Sequence, residues 1–156
     1  MVARQAVRAI VLHDQQLLVM QRNKFGQQYY TLVGGGVESG EELEAALRRE
    51  LREETGMAVG TVRLVFIEAA GDRFGEQYVF LCEYLGGDPV LSVNSEEAAE
   101  SALGQNTYQP RWLPLEEVSQ VAFRSTAVRD ALLAGVAGGW PEAPLELAWK
   151  GDGVGK

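Results

Sequence analysis

Apolar and polar residues alternate in two runs near the start of the chain, VRAIVLHD and QQLLVMQR, on either side of Asp14-Gln15. A period of two interrupted by a polar turn predicts a β-hairpin. YYTLV, residues 29–33, predicts a short third strand that runs into Gly34-Gly35-Gly36. The period then changes: Leu43, Leu47 and Leu51 recur at helical spacing, which predicts a helix from about Glu41 to Thr55. Ser39 followed by Glu42 fits a capping box, and Gly56 supplies the stop. TVRLVFIEAA (61–70) and EQYVFLCEYL (76–85) predict two further strands joined by the turn-rich GDRFG. Residues 92–107 read as a long polar loop, QPRWLPL as a last strand, LEEVSQ as a helical turn and residues 125–136 as an amphipathic helix. Strands before, between and after two helices predict an α/β fold, a mixed sheet with helices on both faces. The pattern gives one domain over 1–137 and a tail over 138–156 that is rich in Gly and Pro. Trp140 and Trp149 in that tail predict anchoring, either on the body of the domain or on a second subunit in a homodimer.

The helix carries charge in an unexpected place. Its final turn and a half holds Glu50, Glu53 and Glu54, where the helix dipole repels an anion. At about 100° per residue, with Leu43 at zero, Leu47 falls near 40°, Leu51 near 80°, Glu54 near 20° and Glu50 near 340°. Glu50 and Glu54 therefore lie on or beside the buried stripe, with Glu53 at its edge. Glu41, Glu42, Glu44, Arg48 and Arg52 point away and fit a solvated face. A like-charge pair at this spacing costs roughly 0.2–0.5 kcal/mol, and an anion near a helix C-terminus costs a further ~0.3–1 kcal/mol. Burial adds to both unless the charge is neutralised. An all-oxygen set with no accompanying His/Cys cluster points to a hard divalent cation, Mg²⁺ or Mn²⁺. The three glycines upstream would let backbone approach such a site closely.

Composition narrows the setting. The chain has 156 residues, 46% hydrophobic and 23% charged, as in a soluble globular domain. No stretch approaches the roughly 20 apolar residues of a membrane span. The single cysteine, Cys82, lies in the apolar run YVFLCEYL and reads as core; with no internal disulfide, a reducing cytoplasm is the expected compartment. A net charge of −8 disfavours binding along a nucleic-acid backbone but leaves room for a small phosphorylated ligand bound through a metal.

From Gly35 to Met57 the residues satisfy every specified position of G-x5-E-x7-R-E-U-x-E-E-x-G-U, with U bulky and aliphatic. In this the chain resembles the Nudix hydrolase superfamily, the hydrolases of nucleoside diphosphates linked to another moiety. The late RWLPLEEV segment (111–118) is similar too, and the likeness covers roughly residues 5–135. It implies an α/β/α sandwich with a loop-helix-loop catalytic motif and hydrolysis of a diphosphate bond. It also implies Mg²⁺ or Mn²⁺ held by Glu50, Glu53 and Glu54 with the carbonyl of Gly34. Arg49 would orient the carboxylates, with Gly35, Glu41 and Gly56 in support. The base that activates water would be Glu53 or Glu50, or else Glu96, Glu97 or Glu100 from the polar loop. Two positions depart from the common pattern: Val33 where Pro is frequent, and Gln109-Pro110 where an acidic residue often precedes the late Trp.

The substrate is left as a class, small nucleotides such as nucleotide sugars, ADP-ribose-like compounds or (d)NTPs. Arg73 stands where many ADP-ribose hydrolases of the superfamily have Pro, and Tyr78 lies slightly beyond the tyrosine of dinucleoside polyphosphate hydrolases. Phe25, Tyr29, Tyr30, Phe74, Tyr78 and Trp112 could stack on a base, although core or rim roles suit each of them better. The alternatives are a non-catalytic nucleotide sensor, which the intact box disfavours, and an RNA 5′-end pyrophosphohydrolase, which the acidic balance disfavours. His13, in the hairpin turn, is expected to be exposed.

Overall fold

The computed structural model describes residues 4–71, 75–91, 104 and 106–151. Glu96, Glu97, Glu100, Arg73 and Phe74 lie outside the described residues. β1 (Gln5–His13) and β2 (Gln16–Lys24) form the expected hairpin, with His13 opposite Gln16. Asp14 (φ 50°) and Gln15 (φ 61°) both take the left-handed conformation, the pairing that a two-residue hairpin turn needs to match the twist of its strands.

The third strand differs from its sequence reading. YYTLV does not form one strand: the chain breaks at Leu32 into β3 (Gln27–Thr31) and β4 (Val33–Gly36). β3 pairs with β2, whereas β4 leaves that edge and pairs with β1, placing Gly34 opposite Arg8 and Gly35 opposite Val7. The apolar run carries no mark of this break, because both halves are buried and both are extended.

β5 (Val59–Ala69) and β6 (Glu76–Tyr84) are antiparallel, and β6 runs parallel to β1. β7 (Asn106–Pro114) pairs along the whole of β2 and leads into a short helix, α2 (Leu115–Val118). β7 is not the last strand. β8 (Phe123–Arg124) pairs with β3, and β9 (Leu145–Ala148) pairs in parallel with the edge of β5. The tail thus docks on the body of its own chain, where sequence periodicity showed nothing: β9 is a four-residue edge strand of largely exposed residues.

α1 (Leu43–Thr55) ends as expected at Gly56, whose φ of 72° lets its N–H bond the carbonyl of Arg52. Its start is later than predicted, and Ser39 makes no cap. Glu38 to Glu41 close a separate turn (Glu41 N–H to Glu38 C=O, 3.0 Å), and the N-cap position falls to Glu42, with no side-chain cap bond. The amphipathic helix near the C-terminus is α3 (Thr126–Gly138), capped by Ser125, whose hydroxyl accepts from the Val128 N–H at 3.2 Å.

The two helices take opposite faces of the sheet. Val7, Ala9 and Val11 of β1 pack with Leu47 and Leu51 of α1. Ile10, with Leu17, Val19, Val65 and Phe66, packs under Val128 and Leu132 of α3. The alternation along β1 therefore feeds both cores, as a central strand requires, and the fold is an α/β/α sandwich built on a curled mixed sheet. Cys82 is core as read, and burial pushes its thiol up to about 12. His13 is not simply exposed: it stacks on Tyr84 (ring centroids 4.1 Å apart) beside Trp112. Among the described residues no helix is long and apolar enough to cross a membrane.

Candidate active site

The carboxylates fall where the helical wheel places them. Glu50 and Glu54 are 8% and 5% exposed, while the Glu53 side chain is 49% exposed. Glu50 and Glu54 lie within hydrogen-bonding reach of each other. They face the β4 backbone: the Gly34 N–H points at Glu54 Oε2 (3.4 Å), and a Cβ on Gly35 would sit 2.7 Å from the Glu50 carboxyl. The break at Leu32 is what brings these glycines under the helix, since it moves the chain from the edge of β2 to the edge of β1.

Arg49 organises the outer side. It grips Glu41 with two hydrogen bonds (2.8 and 2.9 Å), reaches Glu50 at 3.0 Å and Glu53 at 3.4 Å, and donates to the Gly36 carbonyl at 3.0 Å. Glu41 is consequently not part of a solvated face, and its side chain is only 16% exposed. The wheel fails for it because Glu41 precedes the helix. Its fork with Arg49 holds the Glu41 carboxyl well below the ordinary range, at about 2, helped by the Glu38 N–H. Arg48, by contrast, ties the outer face of α1 to the carbonyls of Val59 and Gly60, both at 2.8 Å.

Burial raises the pKa of Glu50, while hydrogen bonds with Glu54 and the charge of Arg49 lower it. Two buried carboxylates at the negative end of a helix, one with a raised proton affinity, form an oxygen donor set with charge to spare. That is the chemistry a hard divalent cation fits. Among the described residues no three such side chains already enclose a metal position; Arg49 stands between Glu50 and Glu53, and like charges diverge.

A second polar group lies across the Leu32–Gly34 backbone, on the face that α3 covers. Arg8 projects there, donating to the Leu32 carbonyl at 3.1 Å, the Gly34 carbonyl at 3.4 Å and Gln77 Oε1 at 3.2 Å. Burial lowers the proton affinity of Arg8, and the nearby charges of Glu54 and Glu50 offset part of that. Beside it Glu68 is 1% exposed and accepts from the Ser125 hydroxyl at 2.6 Å. These residues, with Thr31, Arg124 and Trp149, line a cavity of about 40 Å³. This group has no local motif in the sequence to mark it. Arg8 interrupts an otherwise apolar strand, and Glu68 shares the buried parity of Phe66, so both carried a signal that strand alternation could have used.

Burial raises the pKa of Glu68 above the ordinary carboxylate value, more than Ser125 and Arg8 lower it. The folded chain therefore holds this proton more tightly than the unfolded chain does. Its contribution to stability is fully present below the ordinary value of 4.5 and is lost as pH rises through the raised folded value. Glu68→Gln is expected to flatten this part of the profile. Urea denaturation midpoints of wild type and variant across that pH range check it, and parallel profiles would refute it.

Comparison with known proteins agrees with this geometry. The NUDIX domain family matches residues 2–134. The chain belongs to the NUDIX domain family. Its Nudix relatives include the NAD-capped RNA hydrolase NudC of Vibrio atlanticus, 28% identical over 127 residues, which are 81% of this chain and 46% of that protein. The oxidized purine nucleoside triphosphate hydrolase of Mus musculus is 28% identical over 70% of this chain and 65% of its own length. The chain spans less than half the length of the NudC relatives it matches. Among solved structures, an ADP-ribose pyrophosphatase from Streptococcus suis aligns with a TM-score of 0.66 at 19% identity, over 92% of this chain and 98% of that one. The MutT Nudix hydrolase of Burkholderia pseudomallei aligns at 0.57 and 23%, over 72% and 84%. These two likenesses establish the fold.

Proposed function

We propose that this Nudix chain hydrolyses a P–O–P bond in a nucleoside diphosphate derivative, with Mg²⁺ or Mn²⁺ bound at the C-terminal end of α1. The observation that carries the reading is the burial of Glu50 and Glu54 side by side against the Gly34–Gly35 backbone. Glu50, Glu53 and Glu54, with the Gly34 carbonyl, would hold the ion. When bound, the ion supplies charge neutralisation for the diphosphate and lowers the pKa of a coordinated water. The chain's own residues do the rest. Arg49 holds Glu50 and Glu53 in one orientation, and Glu41 holds Arg49. Glu53, half exposed, or Glu50, with its raised proton affinity, accepts the proton from the attacking water. An open cleft of about 550 Å³ along Arg4, Gln5 and residues 36–41 gives the phosphates room beside the box loop. The cavity of Arg8, Glu68 and Arg124 would receive part of the non-phosphate moiety.

The likeness to NudC adds one compound class, dinucleotides such as NAD and NAD-capped RNA 5′ ends. The net charge of −8 weighs against a grip along an RNA backbone, so the free dinucleotide is favoured over the capped chain.

The test is product release with Mg²⁺ on ADP-ribose, nucleotide sugars, dinucleoside polyphosphates, NAD, NAD-capped RNA, and normal and oxidised dNTPs. At least one compound is expected to turn over, and chelation with EDTA to abolish it. Binding without turnover across the whole panel would overturn the hydrolase reading and favour the sensor.

A further inference from the structure

The cavity beside Arg8 is too small for what it is built to recognise. Ligand pockets commonly measure about 300–1,000 Å³. A cavity of about 40 Å³ lies well below that range. Yet its lining includes two guanidinium groups, a buried carboxyl, two hydroxyls, an amide and an indole. Such a lining fits a flat group with hydrogen-bonding edges. A wall must therefore move to admit one.

The candidates differ sharply in how they are held. Arg8, Gln77 and Glu68 stand on β1, β6 and β5, each paired on both sides. Leu32, Val79 and Val128 are core. Trp149 follows β9, which pairs on one side only, for four residues, with Leu145, Glu146 and Ala148 exposed and Leu147 packed on the core. Beyond it, the Gly151 carbonyl accepts from Thr126 N–H at 3.2 Å and from its hydroxyl at 3.3 Å. An edge strand with little apolar burial is the kind of element that opens locally at low cost. Its near end is fixed: Trp140 packs on Phe66 with ring centroids 6.1 Å apart, and Arg63 donates to the Pro141 carbonyl. The stretch from Leu145 to Gly151 can thus swing while residues 140–141 stay.

We propose that this C-terminal segment is a movable wall of the substrate pocket, and that Trp149 decides which non-phosphate moiety the pocket admits. The proposal rests on the reading of the cavity given above. In the resting protein Trp149 closes the cavity. On binding, β9 slides off β5 at its far end, Trp149 leaves, and the moiety takes its place between Arg8 and Arg124.

The full chain is used for the test. Ala69 and Ala148 are exposed register partners on β5 and β9, so Ala69→Cys with Ala148→Cys allows the strand to be locked by oxidation and freed by reduction. Buried Cys82, with its thiol pushed up to about 12, does not compete. Protein labelled with 5-fluorotryptophan is titrated with each compound of the panel, beginning with ADP-ribose, and the Trp149 resonance is assigned by its loss in Trp149→Phe. The resonance is expected to move on binding in the reduced form. The oxidised form is expected to bind at least tenfold more weakly, and Trp149→Ala to bind more tightly than wild type. A Trp149 resonance unmoved by every compound that binds, or equal affinity of locked and free forms, would overturn the moving wall. Movement of Trp149 without hydrolysis of any compound would keep the wall and remove the hydrolase reading.

Discussion

Glu54→Gln and Glu53→Gln are each expected to lower turnover by about 10²–10⁴-fold, the range of a lost acid–base or charge-stabilising group, with the fold intact. The two should part company in stability. Glu54 is 5% exposed beside Glu50, so without metal its charge is a cost, and the glutamine variant is expected to melt at or above the wild-type temperature. Glu53 is half exposed, and its replacement should leave the melting temperature near wild type. Added Mg²⁺ separates a metal site from a structural cluster. Ligand at about 100 times its Kd stabilises a folded protein by roughly 2.7 kcal/mol, and that gain should appear in wild type and shrink in both variants. Turnover and thermal melts with and without Mg²⁺ check all three statements. Near-normal turnover in both variants would remove the box glutamates from the chemistry, and an undiminished Mg²⁺ effect would remove them from the metal site.

An element is legible in this sequence where it is specified locally. The hairpin, α1 and α3 were legible because each is a periodic segment with its own turn or stop: Asp14-Gln15, Gly56 and Ser125 work within a few residues of where they stand. The burial of Glu50 and Glu54 was legible for the same reason, since a helical wheel fixes their direction once Leu47 and Leu51 are fixed. The break at Leu32 was not, because pairing with β1 rather than β2 is decided by long-range contacts that leave the local pattern unchanged. β9 was missed through its shortness and exposure, and with it went Trp149 as part of a cavity wall. Glu41 shows a third case: the wheel misplaced it, whereas the resemblance gave it a supporting part that fits its fork with Arg49. Arg8 and Glu68 could have been noticed from strand parity, but not their meeting, which needs β1 and β5 brought to opposite sides of β6.

The three consecutive glycines are expected to fail in three different ways when each is changed to alanine. At Gly34 a Cβ would overlap the carbonyl of Val7 on the paired strand, where φ is also 153°. Both partners there are backbone in a central strand, so neither can give way, and the variant should lose about 3 kcal/mol or more, at the upper end of overpacking and backbone-strain costs. At Gly35 a Cβ would lie 2.7 Å from the carbon and both oxygens of the Glu50 carboxyl. That is the far end of a flexible side chain, so the fold survives and the carboxylate is displaced instead. A displacement on the order of 1 Å in a catalytic group can cost about 10²-fold in rate, and the Arg49–Glu50 contact should loosen with it. At Gly36 nothing lies within 4 Å of the added atom, so turnover and stability should both stay near wild type. Urea denaturation and turnover measured on the same three preparations distinguish the outcomes. Wild-type turnover in Gly35→Ala together with loss in Gly36→Ala would mean that Glu50 is not held against this backbone, and the site would have to be rebuilt around another group.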